Sequence, residues 1–354
     1  WTGLTAGRLR AWRFTTVANW SDLAFARASG LPYVIAMPAY PSTAQRLFRD
    51  LSDVFDPAFA TAATDWARHL ERYRDDAALL GYFMANEPHW AFGRFNLASE
   101  MLEQHPGSHS RRALAAWLRE RYAGDAAAWA AAWGGAVRGF DDVVTGTFRR
   151  LEDASGAARD DLWEFSKVLA DRALRIPAAA CRSVDRQHLN LGLRFAWVSS
   201  DLCYAGADAV DVFTINCYQM LPPADQLTEI AARTGRPVLI GEYHWGALDR
   251  GMPATGLKAV ASQSERGVAY RRYTEAAMAH PACIGAHYFT LNDQAVLGRF
   301  DGENFQIGLV DGCHRPYAEM VAAVTACHEG MHAVVRGERP AWSRDAVETP
   351  RVGF

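Results

Sequence analysis

The sequence contains no long hydrophobic run and no excess of charge of one sign. No stretch approaches the roughly 20 consecutive apolar residues that a membrane-spanning helix requires, so a membrane partner is not expected. The 37 Lys and Arg residues nearly balance the 40 Asp and Glu residues, which gives a net charge of −3. This balance argues against nucleic acid as the main partner, because proteins that bind it usually present a strongly basic surface.

Cysteine is scarce, and none of the six cysteines forms a CxxC pair. They lie at Cys181, Cys203, Cys217, Cys283, Cys313 and Cys327. Such scattered spacing is typical of buried free thiols and gives no support for a zinc site built from thiolates. No secretory signal is visible, but the chain begins with Trp1 rather than Met, so this absence does not decide its location.

Aromatic residues, by contrast, are abundant at 12% of the chain, with 12 Trp and 12 Tyr. Most aromatic side chains fill a protein core, and those that do not can present flat apolar faces to a ligand. The 354 residues are half hydrophobic and 22% charged, which is typical of a globular protein with a large core.

Short apolar runs alternate with helical stretches, which is the pattern of repeated βα units around a parallel sheet. Most runs are apolar throughout, as strands covered on both faces are. Seven strands are predicted, at residues 11–19, 33–37, 79–85, 189–195, 210–216, 237–242 and 284–290. Helices are predicted between them, for example at residues 58–73, 224–234, 262–279 and 317–327.

A (β/α)8 TIM barrel needs one strand more than these seven. Residues 1–10 have the pattern of a helix leading into the first strand, so we expect that a first β/α unit is encoded upstream and is missing here. The seven strands are therefore numbered two to eight. A seven-stranded open sheet or an incomplete barrel is the alternative.

About a hundred residues separate strand four from strand five, whereas a plain βα unit takes roughly 30. The excess, about residues 90–162, has apolar residues at helical spacing and predicts a helical insertion after strand four. No flexible linker bounds this segment, so we interpret residues 1–354 as a single TIM-barrel domain of the α/β class rather than two domains.

Two predicted strands end in a carboxylate. Strand four runs into Asn86-Glu87-Pro88, and strand seven runs into Gly241 and Glu242. The carboxyl ends of barrel strands are where catalytic residues lie in this fold. Glycosidic bond cleavage requires two such groups, one to protonate the leaving oxygen and one to attack the anomeric carbon or activate water.

These residues carry a family resemblance. A strand ending in Asn-Glu-Pro with a later strand ending in Glu resembles the retaining glycoside hydrolases of clan A. Residues 240–251 (IGEYHWGALDRG), 285–289, 298–299 and 301–308 resemble glycoside hydrolase family 50, the β-agarases. Residues 18–22 and 54–57 also resemble that family, so the similarity extends over about residues 10–330.

The resemblance implies roles for particular residues. Glu87 matches the general acid/base, Glu242 the nucleophile, Asn86 the amide that holds a sugar hydroxyl, and Tyr218 an aromatic hydroxyl near the nucleophile. Further side chains expected to contact the sugar are Asn19, Trp20, Arg194, Asn216, His244, Trp245, His287, Tyr288, Asp293, Arg299 and Glu303. Trp90 could offer another aromatic face.

The family pattern is not complete. Thr15 stands where Asn is expected and Tyr288 where Trp is usual, and both departures bear on the sugar subsite. The resemblance therefore implies a retaining hydrolase of β-galactosidic linkages in agarose-like polysaccharide or oligosaccharides, with no cofactor and no metal. A β-galactosidase, another clan A glycosidase or a non-catalytic carbohydrate-binding barrel are the alternatives. A secreted or periplasmic location is implied by the family alone.

One rival motif is HExxH at residues 328–332, which on a helix can bind zinc with the Glu as base. Gly330 weakens a helix at its centre, and His332 is the last histidine of the chain. We therefore interpret His328 and His332 as surface side chains near a helix end.

Overall fold

The computed structural model describes residues 1–353 and has an α/β architecture. Its helices are α1 (Thr2–Ala11), α2 (Leu23–Ala28), α3 (Pro57–Ala67), α4 (Leu97–Glu103), α5 (His109–Arg121), α6 (Ala126–Ala132), α7 (Asp142–Thr145), α8 (Gly156–Val184), α9 (Ala224–Thr234), α10 (Gln263–Ala279) and α11 (Ala318–Val335). Its strands are β1 (Tyr33–Ala36), β2 (Arg46–Phe48), β3 (Leu51–Ser52), β4 (Leu79–Phe83), β5 (Leu189–Asn190), β6 (Phe213–Asn216), β7 (Val238–Tyr243) and β8 (Cys283–Tyr288).

Helices predicted from apolar periodicity match the structure well. Helix α9 has the predicted bounds, and Gly235 ends it in the left-handed conformation that glycine adopts most easily. Helix α10 begins after Ser262, whose hydroxyl accepts a hydrogen bond from the Glu265 N–H at 3.2 Å. Helix α11 continues past the predicted end at residue 327 to Val335.

Five predicted strands form, but two predictions need correction. Residues 11–19 form no strand, because α1 extends to Ala11 and only Val17 pairs, through one parallel bridge to Tyr33. The strand predicted at residues 189–195 is reduced to β5, because the positive φ angles of Gly192 (80°) and Arg194 (46°) take the backbone out of extended geometry. The short antiparallel pair of β2 and β3 was not predicted.

The strands form small sheets. One sheet has the order β1-β4-β5. The numbers of the residues that its backbone hydrogen bonds join increase together along neighbouring strands, which is the pattern of a parallel sheet. The other has the order β6-β7-β8 and is parallel throughout. Strand β7 is buried along its whole length, as expected for a central parallel strand.

The described residues divide into two compact units. Unit 1 comprises Trp1–Ile35, Ala77–Gly81 and the described residues from Val212 onward. Unit 2 comprises Ala36–Asp76 and Tyr82–Asp211. The chain passes from one unit to the other several times, so neither unit is a continuous segment.

In unit 1, α10 packs against both β8 and α11. The segment after α11 is fixed to α10 by the carboxylate of Glu275, which is fully buried. It accepts hydrogen bonds from Arg271 (2.7 Å), from Arg339 (2.9 Å) and from the backbone N–H of Trp342 (2.8 Å). Burial opposes ionisation of Glu275, but the hydrogen bonds from the two arginines lower its pKa overall.

In unit 2, the 29-residue helix α8 packs against α3 and α4. The segment predicted as a helical insertion is helical, with α4 to α7 inside it, and its last residues already belong to α8. Two buried polar groups hold these short helices together. Arg111 donates to backbone carbonyls of residues 101, 102, 104, 143 and 146, while Asp161 accepts from Arg121, Tyr122 and Trp133.

Candidate active site

The carboxylate of Glu242 lies near the end of β7 and is 7% exposed. A register shift between Ile215 and Asn216 sets Asn216 opposite Glu242 on the neighbouring strand. Both carboxylate oxygens accept hydrogen bonds: Oε1 from the Trp20 indole N–H at 2.8 Å and Oε2 from the Tyr218 hydroxyl at 2.5 Å. The carboxylate is therefore held in one orientation by two donors from different parts of unit 1.

The donor Trp20 lies in the turn between Val17 and α2. Its backbone is left-handed, with φ at 68°, and its side chain is 55% exposed although the indole N–H is engaged. Strained backbone of this kind in a bulky residue is found at functional sites more often than elsewhere. The amide oxygen and nitrogen of the neighbouring Asn19 are buried and form no hydrogen bond within residues 1–353. An amide in this state is suited to meet a polar ligand.

His244 follows β7 and contacts the other donor. Its ring centroid lies 4.6 Å from that of Tyr218, and its Nε2 accepts a hydrogen bond from the Leu257 N–H at 3.0 Å. Burial, reinforced by the charge of Arg266, lowers the pKa of His244 to about 3. His244 is thus a neutral ring that packs on Tyr218, the donor to Glu242, and fixes the Leu257 backbone.

Trp245 requires a correction, because it is fully buried and has no exposed face to offer a sugar. Its ring packs on Tyr243 and Tyr273, and its carbonyl accepts from Arg266. The hydroxyl of Tyr288 also forms hydrogen bonds inside the protein. It accepts one from Arg266 at 3.1 Å and donates one to the Ile307 carbonyl at 2.9 Å.

Sequence reasoning missed Arg266 itself. This fully buried side chain of α10 also binds the side chain of Gln263 and the carbonyl of Gly308, and so ties the segments after β7 and β8 together. The sequence around Arg266 gives no signal that this arginine points inward, because apolar and polar residues are spread around α10. Only the packing of α10 reveals it.

Asp293 was predicted to contact sugar, but its visible partners are internal. It is buried and accepts from the Gly308 N–H at 2.8 Å and from the Tyr317 hydroxyl at 2.6 Å. Burial raises its pKa. His287, on β8, is half-buried.

Arg299 and Glu303 form a charged cluster after β8. Arg299 binds both oxygens of Asp301 (3.1 and 2.5 Å) and Oε2 of Glu303 (2.7 Å), and Gln294 donates to the same Glu303 oxygen at 2.6 Å. Burial raises the pKa of Glu303, and the charges of Asp301 and Glu242 act in the same direction. The cluster is therefore close enough to Glu242 for their charges to interact.

Unit 2 carries the second candidate carboxylate just beyond β4. Glu87 is half-buried and has a left-handed backbone with φ at 51°. Its N–H donates to the carbonyl of Arg194 at 3.0 Å, and Arg194 is itself left-handed. The buried guanidinium of Arg194 donates to the side-chain oxygen of Asn86 at 2.9 Å. Asn86, Glu87 and Arg194, three of the predicted site residues, are therefore brought together.

Asp50 fixes the segment that follows Glu87. Its two carboxylate oxygens accept from the N–H groups of His89 (2.8 Å) and Trp90 (2.9 Å) at the start of a short 3-10 helix. Beside it, unit 2 contains a cavity of about 370 Å³ whose wall includes Asn86, Trp90 and Tyr40. Trp90 is buried apart from this wall.

The interpretation of the HExxH residues as surface side chains near a helix end holds for His332, which is exposed in the last turn of α11, but it is wrong for His328. Both lie inside α11, which continues through Gly330. His328 is largely buried, with Nδ1 at 2.8 Å from the Trp12 carbonyl and Nε2 at 2.7 Å from the Tyr270 hydroxyl. Within residues 1–353 no group of three or more His, Cys, Asp or Glu side chains is arranged to hold a metal ion.

The cysteines of the described chain are all free thiols, five of them buried. Over residues 1–353, no helix combines the length and apolar character needed to cross a membrane.

The chain is similar to known proteins in both sequence and structure. No protein-family model matches the chain. Beta-agarase A of Vibrio sp. (strain JT0107) is 31% identical over 369 residues, covering 94% of this chain and 36% of that protein. Beta-agarase B of the same organism is 27% identical with the same coverage. The chain thus spans about a third of the length of the curated relatives it matches.

Two solved structures extend the similarity to the fold. An exo-β-agarase has a TM-score of 0.85 and 28% identity, covering 95% of this chain and 47% of its own. The agarase AgWH50C has a TM-score of 0.85 and 26% identity, with coverages of 95% and 49%. A β-galactosidase from Marinomonas ef1, at 13% identity and a TM-score of 0.63, shares the fold alone.

These relatives place the chain in a class, the α/β proteins related to glycoside hydrolases. Within that class, sequence and structure both support the relationship that the motifs indicated, which is to the β-agarases of glycoside hydrolase family 50.

Proposed function

We propose that this chain is a retaining glycoside hydrolase that cleaves β-galactosidic linkages in agarose-like polysaccharide or its oligosaccharides. Glu242 is the nucleophile and Glu87 the general acid/base. The observation that carries the proposal is the Glu242 carboxylate, buried near a strand end with each oxygen fixed by one donor. The names of the relatives supply the substrate class.

Glu242 acts first as a fixed anion. Its oxygen attacks the anomeric carbon while the bond from that carbon to the leaving oxygen breaks, which gives a covalent glycosyl ester. The hydrogen bonds from Trp20 and Tyr218 leave further lone pairs on the carboxylate oxygens, so the group can attack without losing its supports.

Glu87 transfers the proton in both steps. It donates its proton to the leaving oxygen in the first step and takes one from the attacking water in the second, when Glu242 is released as the carboxylate. Because ester formation removes the charge of the nucleophile, Glu87 can lose its proton more easily at that stage. In this mechanism the amide of Asn86, whose oxygen accepts a hydrogen bond from Arg194, binds a sugar hydroxyl.

Three parts of the interpretation stay predictions. They are a single TIM-barrel domain over residues 1–354 that lacks its first β/α unit, a secreted or periplasmic location, and direct sugar contacts by the remaining predicted side chains. No cofactor is needed for the proposed chemistry.

The test is product analysis on a panel of agarose oligosaccharides, porphyran oligosaccharides and simple β-galactosides. We expect cleavage of the agarose series, with the β-anomer observed first by proton NMR. Release of the α-anomer first would contradict retention. Efficient cleavage of simple β-galactosides alone would favour the β-galactosidase alternative, and saturable binding without turnover would indicate a carbohydrate-binding protein.

A further inference from the structure

The segment from Gln294 to Phe305, here called the β8 loop, presents two apolar side chains to solvent. Leu297 and Phe300 are each 97% exposed, more than any other large hydrophobic side chain of the described residues. Val296 beside them is 61% exposed. Several exposed apolar side chains within five residues of one loop indicate a binding surface more strongly than a single exposed residue does.

The β8 loop is held in shape at its base. The N–H of Gln294 donates to the Phe305 carbonyl at 3.1 Å, and the N–H of Arg299 donates to the Glu303 carbonyl at 2.8 Å. Gly298 and Gly302 adopt φ angles near 90°, which only glycine tolerates well. The exposed tip is therefore presented by a closed, hydrogen-bonded turn.

The orientation of Phe300 is also supported. The Arg299 guanidinium lies 5.5 Å from the Phe300 ring centroid and 5.7 Å from that of Phe289, and the carboxylates of Asp301 and Glu303 neutralise it. One face of the ring thus lies against a guanidinium that is already paired with two carboxylates, which suits a neutral ligand better than an anionic one.

The base of the β8 loop lies close to the proposed nucleophile. The Arg299 guanidinium lies 5.7 Å from the Phe289 ring centroid, and that ring lies 6.2 Å from His244. His244 packs on Tyr218, whose hydroxyl donates to Glu242. A polysaccharide chain passing over Glu242 therefore has sugar units within reach of the tip.

Resting on the proposed function, we propose that Phe300 and Leu297 form a platform on which a sugar ring of the bound polysaccharide, away from the cleaved bond, stacks. The C–H groups on the apolar face of a neutral galactose-type ring would meet the electron-rich face of Phe300. The platform would then favour long substrates over short ones.

The experiment compares wild type with Phe300→Ala, Leu297→Ala and Phe300→Trp, with Val335→Ala on α11 as a matched control that also removes a mostly exposed apolar side chain. Steady-state kinetics use a long agarose oligosaccharide and a short aryl β-galactoside, and calorimetry measures binding of the long oligosaccharide. We expect kcat/KM and affinity for the long ligand to fall about 3- to 10-fold in Phe300→Ala, the range for one aromatic contact. Activity on the short substrate should not change. In Phe300→Trp, kcat/KM and affinity for the long ligand should stay near the wild-type values, because an aromatic face is kept.

Equal effects on both substrates, or no change in binding of the long ligand, would overturn the platform. So would a change of association state in gel filtration with unchanged binding, since the patch would then be a contact between proteins. If wild type binds the oligosaccharide but cleaves nothing, the proposed function fails while the binding comparison still tests the platform. If wild type neither binds nor cleaves it, both fail.

Discussion

The two candidate carboxylates lie in different backbone settings. Glu242 belongs to a fully buried strand, and side-chain donors fix its oxygens. Glu87 lies just past the end of β4 on a left-handed backbone, whose N–H donates to the carbonyl of the equally left-handed Arg194. A strand therefore positions the candidate in unit 1, whereas a left-handed turn positions the candidate in unit 2.

This difference suits the two proposed tasks. A nucleophile must stay ionised and point in one direction, which buried donors to its oxygens favour. An acid/base group must gain and lose a proton in each cycle, and the half-buried side chain of Glu87 keeps some contact with solvent for that exchange.

The largest effect is expected from Glu242→Ala. Removal of the nucleophile should lower turnover of agarose oligosaccharides by at least about 10⁴-fold, a fraction of the total acceleration typical of enzymes. Binding of the oligosaccharide, measured by calorimetry, should persist because the rest of the surface is unchanged. Residual activity within tenfold of wild type would remove Glu242 from the nucleophile role.

Glu87→Ala should discriminate between substrates. Loss of general acid catalysis typically costs about 10²–10⁴-fold, and we expect this loss on natural oligosaccharides. Aryl galactosides with a good leaving group need no protonation of the leaving oxygen and should lose far less in the bond-breaking step. Equal losses on the two substrate types would contradict the assignment of Glu87 as the acid.

Tyr218→Phe tests whether side-chain donors set the direction of Glu242. A hydrogen bond to a charged group contributes about 1.5–3 kcal/mol, so kcat should fall about 10- to 100-fold with little change in KM. Asn19→Ala is a useful comparison from the same unit, since Asn19 makes no hydrogen bond in the described structure and should affect KM more than kcat. If Tyr218→Phe changes KM alone, the hydroxyl serves the sugar rather than the carboxylate.

The smallest effects concern the stability of each unit. Glu275→Gln in unit 1 and Asp161→Asn in unit 2 each weaken a buried acceptor of three donors, at about 1.5–3 kcal/mol. Hydrogen exchange should show loosening of α10 in the first variant and of α8 in the second. If hydrogen exchange became faster to the same extent in both units of either variant, the two units would not be stabilised separately.

Glu275 also predicts a pH dependence with a definite sign. Its pKa is lowered in the folded protein, against an ordinary value of about 4.3. Its contribution to the free energy of unfolding is therefore complete above that ordinary value and is lost as pH falls through the folded pKa. In urea unfolding curves, the gap between wild type and Glu275→Gln should narrow below about pH 4. A constant gap would exclude ionisation of Glu275 as its origin.

The parts of the fold that the sequence predicted depend on local patterns. The apolar spacing within a helix or strand depends on which of its own faces is buried. The pattern therefore predicts helix α9 and strands β1, β4, β6, β7 and β8. The strand predicted at residues 11–19 is wrong because a short apolar run is compatible with either the end of a helix or a strand. In the structure only Val17 pairs as a strand residue does, through one bridge to Tyr33.

The same division holds for the candidate site. The sequence alone determined which carboxylates follow predicted strands and which motif surrounds each. Strand ends and turns depend on residues that are neighbours in the chain. The tertiary structure decided that Trp20 donates to Glu242, that Arg266 ties two loops from inside a helix, and that Trp245 is buried. These facts join residues far apart in the chain, and the partner of a long side chain is set by packing, which no local pattern records.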